Sequence, residues 1–197
     1  MVKILNALSD SQLAVLLRQG SVGVLPTDTV YGVVCRAADE VAVKRLYEVK
    51  SRKSKPGTVI AAGIDQLVEL GIKARYLKAV EQFWPNAISI EIPHQIAYLN
   101  QTTGRQAFRI IKQPAELVDL LKLVGPLLTS SANLPGQPPA NNIAEAQKYF
   151  GGSVNFYVDG GDLSDRKPST LIRIVDDAVE TIRPGAVKID ETTGRIL

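Results

Sequence analysis

The sequence predicts an α/β fold, a single twisted mixed sheet flanked by helices. Segments of helical periodicity alternate along the chain with apolar runs of strand length, the pattern of a sheet with covering helices. The last third is richer in strands, which argues against a purely parallel sheet. The 197 residues, 45% of them hydrophobic, supply the core of one domain, and there is no internal repeat, low-complexity tract or linker. A single domain over residues 1–197 is expected.

Each element has its own signal. Ser9 and Gln12 make a capping-box pattern before LAVLLRQG, and Gly20 ends it, so residues 10–19 read as a helix. The strand SVGVLP follows. Ala42, Leu46 and Val49 recur at helical spacing after Asp39, giving a second helix that runs into Lys50. TVIAA reads as a strand, IDQLVELG and RYLKAVEQF as helices, AISIEI and QAFRII as strands. PAELVDLLKLV is a helix with proline in its first turn, and PLLTSS a buried strand. VNFYV, STLIRIV and VETIRP complete the strand-rich end.

Composition excludes several function classes. The chain has no apolar run long enough to cross a bilayer, and its N-terminus lacks the pattern of a signal peptide, so a soluble intracellular protein is expected. The single cysteine, Cys35, permits neither an internal disulfide nor a multi-cysteine metal site and reads as a small buried hydrophobe. The single histidine, His94, is far in sequence from any nucleophile motif and reads as an ordinary loop residue. Neither G-x-x-x-x-G-K-[ST] nor G-x-G-x-x-G is present, so any nucleotide must be held without the common phosphate loops. The net charge of +3 suits anionic partners, whether nucleotides or RNA, and equally a plain basic surface.

Several polar groups sit where strands end. In VLPTDTVYGVVC the proline closes an apolar run and Thr27, Asp28, Thr29 and Tyr31 precede Gly32, which serves a turn or a polar ligand. The second helix ends in Lys50, Arg52, Lys53 and Lys55, a solvated helix end or a grip on phosphates. Arg109 interrupts an apolar strand and, if covered on both faces, needs an anionic partner such as a substrate carboxylate. Arg173 has the same local look and reads as an edge-strand residue. Ser131 and Asn133 lie where PLLTSS runs into a loop rich in proline and amides, at the kind of strand exit where α/β sheets bind ligands.

Taken together, LPTDTVYG, the K-S-R of residues 50–52, FR at 108–109, TSSANLPG, PST at 168–170 and IRPG at 182–185 resemble, in order and spacing, the YrdC/Sua5 family of threonylcarbamoyl-AMP synthases. The resemblance runs from about Leu25 to Gly185 and is closest to the short, single-domain form. It implies a nucleotidyltransferase that joins L-threonine, bicarbonate and ATP into threonylcarbamoyl-AMP and pyrophosphate, for the t6A modification of tRNA in the cytoplasm. The implied partner is a downstream tRNA threonylcarbamoyltransferase complex. Mg2+ is implied as a cofactor carried mainly by the ATP phosphates, with no protein metal site. The implied site residues are Lys50 and Arg52 on the phosphates as the catalytic pair, with Arg105, Asn133, Asn141 and Arg183 also on ATP. Thr29, Arg109, Ser131 and Ser169 are implied for L-threonine, with Thr27 and Tyr31 shaping that pocket. Lys53, Asn86, Pro135 and Arg173 depart from the family pattern. The alternative reading is a double-stranded RNA or ribosomal RNA binding or maturation protein that uses the same cations. It calls for exposed aromatics or a broad basic stripe, whereas aromatic residues make up 6% of the chain and few lie beside the basic run.

Overall fold

The structure is a computed structural model and describes residues 2–51, 53–176 and 178–197. The elements in chain order are β1 (Lys3–Leu5), α1 (Ser11–Arg18), β2 (Gly23–Pro26), β3 (Tyr31–Arg36), α2 (Glu40–Val49), β4 (Thr58–Ala61), α3 (Ile64–Glu69), α4 (Ala74–Ala79), β5 (Ile88–Pro93), α5 (Ala97–Asn100), β6 (Arg105–Ile110), α6 (Ala115–Val124), β7 (Leu127–Ser131), α7 (Ile143–Phe150), β8 (Phe156–Val158), β9 (Thr170–Val175) and β10 (Ala178–Arg183). Among the described residues the strands form one sheet in the order β1-β8-β2-β3-β7-β4-β6-β5-β9-β10. It is mixed, as expected: β8 is parallel to β1 and β2, β6 to β4, and β9 to β5, while the other neighbours are antiparallel.

Side chains alternate across a strand, and here both faces are covered. Val24, Val33, Val59 and Leu128 enter one core with residues of α2, α3, α4, α5 and α7. Their chain neighbours Leu25, Val34, Ile60 and Leu127 enter a second core beneath α1 and α6. Burial on both faces is why these strands read as continuous apolar runs. No helix among the described residues is long and apolar enough to cross a membrane.

Local details differ from the sequence expectation. The first helix is capped by Asp10, whose carboxylate accepts from the Gln12 amide at 2.8 Å, and not by a Ser9 box. Four elements carried no clear signal: β1, β3, α5 and α7. The strand β3 is masked by the polar turn that opens it, and α5 is a single turn. The helix α7 follows a proline-rich loop and is fixed by Asn142, which accepts from the Glu145 amide. Arg173 is not on an edge, since β9 lies between β5 and β10. Glu180 at 2.7 Å and Glu91 at 3.9 Å, on the two flanking strands, supply its counter-charges.

Candidate active site

The helices α1 and α6 cover only part of their face of the sheet, and beyond them that face turns polar. The register shows how. Ile60, in the core under those helices, lies opposite Arg109, and Thr58 lies opposite both Thr129 and Ala107. On β6, Phe108 and Ile110 enter the other core, so Ala107 and Arg109 must face this side. On β5, Ser89 and Glu91 share it, because Ile88, Ile90 and Ile92 take the opposite face.

This uncovered area is the floor of a cleft of about 700 Å3. Of the residues singled out in the sequence, Thr27, Thr29, Tyr31, Arg105, Arg109, Ser131, Ser169 and Arg183 line it. Lys55 of the basic run lines it too, and the lining adds Glu91, the one carboxylate among the described lining residues. With Lys55, Arg105, Arg109 and Arg183 against Glu91, the cleft favours anions.

The hydroxyl-rich turn is stitched to itself and to the sheet. Thr27 Oγ1 donates to the Val30 carbonyl at 2.7 Å and lies 3.2 Å from Thr29 Oγ1. Tyr31 Oη donates to the Gly161 carbonyl and accepts from the Gly160 amide, and burial raises the pKa of its phenol. Gly32 is required by a close approach, since a Cβ there would stand 2.3 Å from Thr129 Oγ1. Gly185 is required likewise, because a Cβ would press within 2.4 Å of the Pro168 carbonyl beside Ser169.

Arg109 is 3% exposed. Its Nη2 donates to Asp28 Oδ1 at 2.7 Å and its Nη1 to Ser89 Oγ at 2.8 Å, while Nε has no partner among the described residues. The anion that a covered arginine needs is thus supplied in part by the turn itself. Ser89 Oγ lies 2.9 Å from Ser169 Oγ, and Arg183 Nη2 donates to the Ser169 carbonyl at 2.8 Å.

The residues that the sequence resemblance implies for ATP are arranged in depth. Lys50, the residue that ends α2, is 4% exposed. Its ammonium donates to the Ser131 carbonyl at 2.6 Å, to Asn133 Oδ1 at 3.0 Å and to the Asn133 carbonyl. Ser131 Oγ donates to Asn133 Oδ1 at 2.7 Å. Lys50 and Asn133 therefore stand behind Ser131, outside the cleft lining. Asn141 is also outside it; its amide donates to Glu145 and its carbonyl accepts from Leu163. Arg52 lies outside the described residues.

Sequence reasoning missed Asp28, Ser89 and Glu91. Asp28 was visible in the turn motif but its partner is 81 positions away. Ser89 was visible only as a hydroxyl at an alternate position of an apolar strand. His94 is a buried neutral ring, 7% exposed and edge-on to Phe108 at 5.6 Å. Its Nδ1 accepts from the Ile96 amide, and burial lowers its pKa to about 4.

A family model for Sua5, YciO and YrdC proteins, described as "Telomere recombination", matches residues 15–185. The chain belongs to this family. Among relatives of the Sua5/YciO/YrdC chain is the threonylcarbamoyl-AMP synthase of Bacillus subtilis, 33% identical over 186 residues that make up 90% of this chain. This chain spans about half (53%) of that relative's length. The threonylcarbamoyl-AMP synthase of Pseudomonas fluorescens is 33% identical over 175 residues, 85% of this chain and 93% of the relative. The structure of Pyrococcus abyssi Sua5 complexed with L-threonine superposes with a TM-score of 0.82 at 25% identity, over 98% of this chain and 59% of the other. Escherichia coli YciO shares the fold, with a TM-score of 0.77 at 21% identity over 94% and 97% of the two chains.

Proposed function

We propose that this protein is an L-threonylcarbamoyladenylate synthase, joining L-threonine, bicarbonate and ATP into threonylcarbamoyl-AMP and pyrophosphate. The observation that carries the reading is Arg109, a buried cation aligned by Asp28 and Ser89 at the floor of an anion-favouring cleft, between the hydroxyl-rich turn and the Ser131 strand exit. The names of the relatives from Bacillus and Pseudomonas and the threonine complex of the Pyrococcus protein support it.

In this reading Arg109, Thr29, Ser131 and Ser169 hold threonine, with its carboxylate at the guanidinium. Lys50, Arg52, Arg105, Asn133, Asn141 and Arg183 serve ATP, Lys50 through the Ser131–Asn133 exit that its ammonium holds. The threonine amine adds to the carbon dioxide released from bicarbonate and loses a proton, giving an N-carboxylate. That oxygen attacks the α-phosphorus, and the bond to pyrophosphate breaks. Neutralising cations and fixed positions carry such a transfer, so no titrating histidine is required. The buried, neutral His94 takes no part.

Among the described residues no group of three or more His, Cys, Asp or Glu side chains could hold a metal ion. Hydroxyls and a single carboxylate in the cleft fit Mg2+ that arrives with the ATP phosphates and keeps its waters. When bound it would neutralise phosphate charge, and no protein ligand is assigned to it. The RNA-binding alternative calls for exposed aromatics or a broad basic stripe, and the one aromatic among the described lining residues of the cleft, Tyr31, is fully buried. Residues 1–197 act as one domain, and the adenylate passes in the cytoplasm to a tRNA threonylcarbamoyltransferase complex.

The test is pyrophosphate release with each substrate omitted in turn. Release is expected only with all three present. Equal release without threonine would leave ATP hydrolysis or another acceptor as the activity.

A further inference from the structure

The hydroxyl of Ser89 is buried near the start of β5, with none of its surface exposed, between core residues Ile88 and Ile90. A hydroxyl there is costly unless it is hydrogen-bonded. Its two contacts fix the direction of its proton. Arg109 Nη1, at 2.8 Å, can only donate, so Ser89 Oγ is the acceptor of that bond. The Ser89 proton then needs an acceptor of its own, and among the described residues that acceptor is Ser169 Oγ at 2.9 Å.

The direction propagates. Ser169 Oγ receives Ser89 and, at 3.4 Å, Arg183 Nη2. Its own proton is therefore left to point at whatever occupies the cleft that it lines. The charge on Arg109 polarises Ser89, and Ser89 polarises Ser169, so each bond strengthens the next.

We infer that Ser89 is a positioning residue that makes Ser169 an obligatory hydrogen-bond donor beside Arg109, so that the pair receives one oxyanion of the substrate. The class of ligand group is a carboxylate or a similar anionic oxygen, and a group that can only donate is rejected at Ser169. The inference rests on the proposed function, in which that group is the threonine carboxylate.

The experiment is calorimetric titration of L-threonine and of ATP into the wild-type protein, Ser89→Ala, Ser89→Thr, Ser169→Ala and the double Ala variant. Ser89→Ala is expected to weaken threonine about tenfold and leave ATP within about twofold, as loss of a bond next to a charge should. Ser89→Thr, which keeps the hydroxyl, restores threonine binding. The double variant binds threonine no more weakly than Ser169→Ala alone, because the two hydroxyls act as a unit. Unchanged threonine affinity in Ser89→Ala, an equal loss for threonine and ATP, or full additivity in the double variant would overturn the inference. If thermal melts show that Ser89→Ala does not fold, Ser89→Cys, a weak donor of nearly the same shape, is measured in its place with the same expected sign. Failure of the wild-type protein to bind threonine at all would overturn the proposed function instead.

Discussion

Asp28, in the turn between β2 and β3, holds Arg109, on β6, through a 2.7 Å charge-assisted hydrogen bond that spans 81 positions of sequence. The side chains of Arg109 and Asp28 are 3% and 15% exposed, so the pair is only weakly screened. The bond ties the strand that carries the cation to the turn that carries Thr27 and Thr29. It also orients the guanidinium, leaving donors for a ligand.

Asp28→Asn keeps the shape of the side chain and removes its charge. We expect a loss of about 1–3 kcal/mol in stability, because Arg109 stays buried with a weaker partner. Threonine affinity should fall as well, since the guanidinium is no longer held in one orientation. Denaturant unfolding and threonine titration check the two effects. A variant as stable as the wild type that binds threonine normally would mean that Ser89 alone suffices to hold Arg109.

Arg109→Ala should weaken threonine binding far more than ATP binding. Truncating one partner of a buried, hydrogen-bonded charge pair typically costs on the order of 2–5 kcal/mol, much of it from the charge left unpaired. Arg109→Lys should fall short too, because one ammonium cannot reach Asp28, Ser89 and a ligand with the geometry of a planar fork. Equal losses for threonine and ATP would instead mark Arg109 as a brace of the sheet.

Lys50 and Arg52 should part company when each is replaced. Lys50→Met removes a buried ammonium that holds the Ser131 and Asn133 carbonyls and Asn133 Oδ1. Stability and turnover should both fall, the first by about 1–3 kcal/mol for acceptors left unmet. Arg52→Ala should reduce turnover severely and leave the melting temperature near wild type, as expected of a phosphate contact. Thermal melts beside pyrophosphate release separate the two. An Arg52→Ala variant with normal turnover would return the basic run to a solvated helix end.

The sheet was legible in the sequence because strands buried on both faces show as apolar runs whatever their neighbours. The elements that escaped were those whose pattern is broken for a local reason, as β3 is by its polar opening and α5 by its shortness. In the site, residues at strand ends could be seen, since a polar group after an apolar run is conspicuous. Depth could not. Nothing in K-S-R says that the lysine turns back onto Ser131 and Asn133, and nothing in AISIEI says that its serine meets an arginine 20 positions on. Such pairings depend on strand order, and the β5–β6 and β5–β9 register brings Ser89, Arg109 and Ser169 together.

The single histidine gives a prediction about pH that is independent of catalysis. Folded His94 accepts a hydrogen bond at Nδ1 from the Ile96 amide, is nearly excluded from solvent and has its pKa lowered by burial from 6.5 to about 4. An imidazole is charged when protonated, so a lowered folded value means that the unfolded chain binds the proton more tightly. Stability from this group is therefore fully present above about pH 6.5 and is lost as the pH falls towards 4, by on the order of 3 kcal/mol in total. Carboxylates titrate in part of the same window, so the contribution of His94 is read as the difference between wild type and His94→Gln. The variant should be less stable at neutral pH, where the edge-on contact with Phe108 is lost, but should show a flatter stability profile between pH 6.5 and 4. The imidazole proton resonances of the chain's only histidine give the direct measurement. They should stay at the neutral position well below pH 6, and a midpoint near 6.5 would mean that the ring is hydrated and that acid lability arises elsewhere.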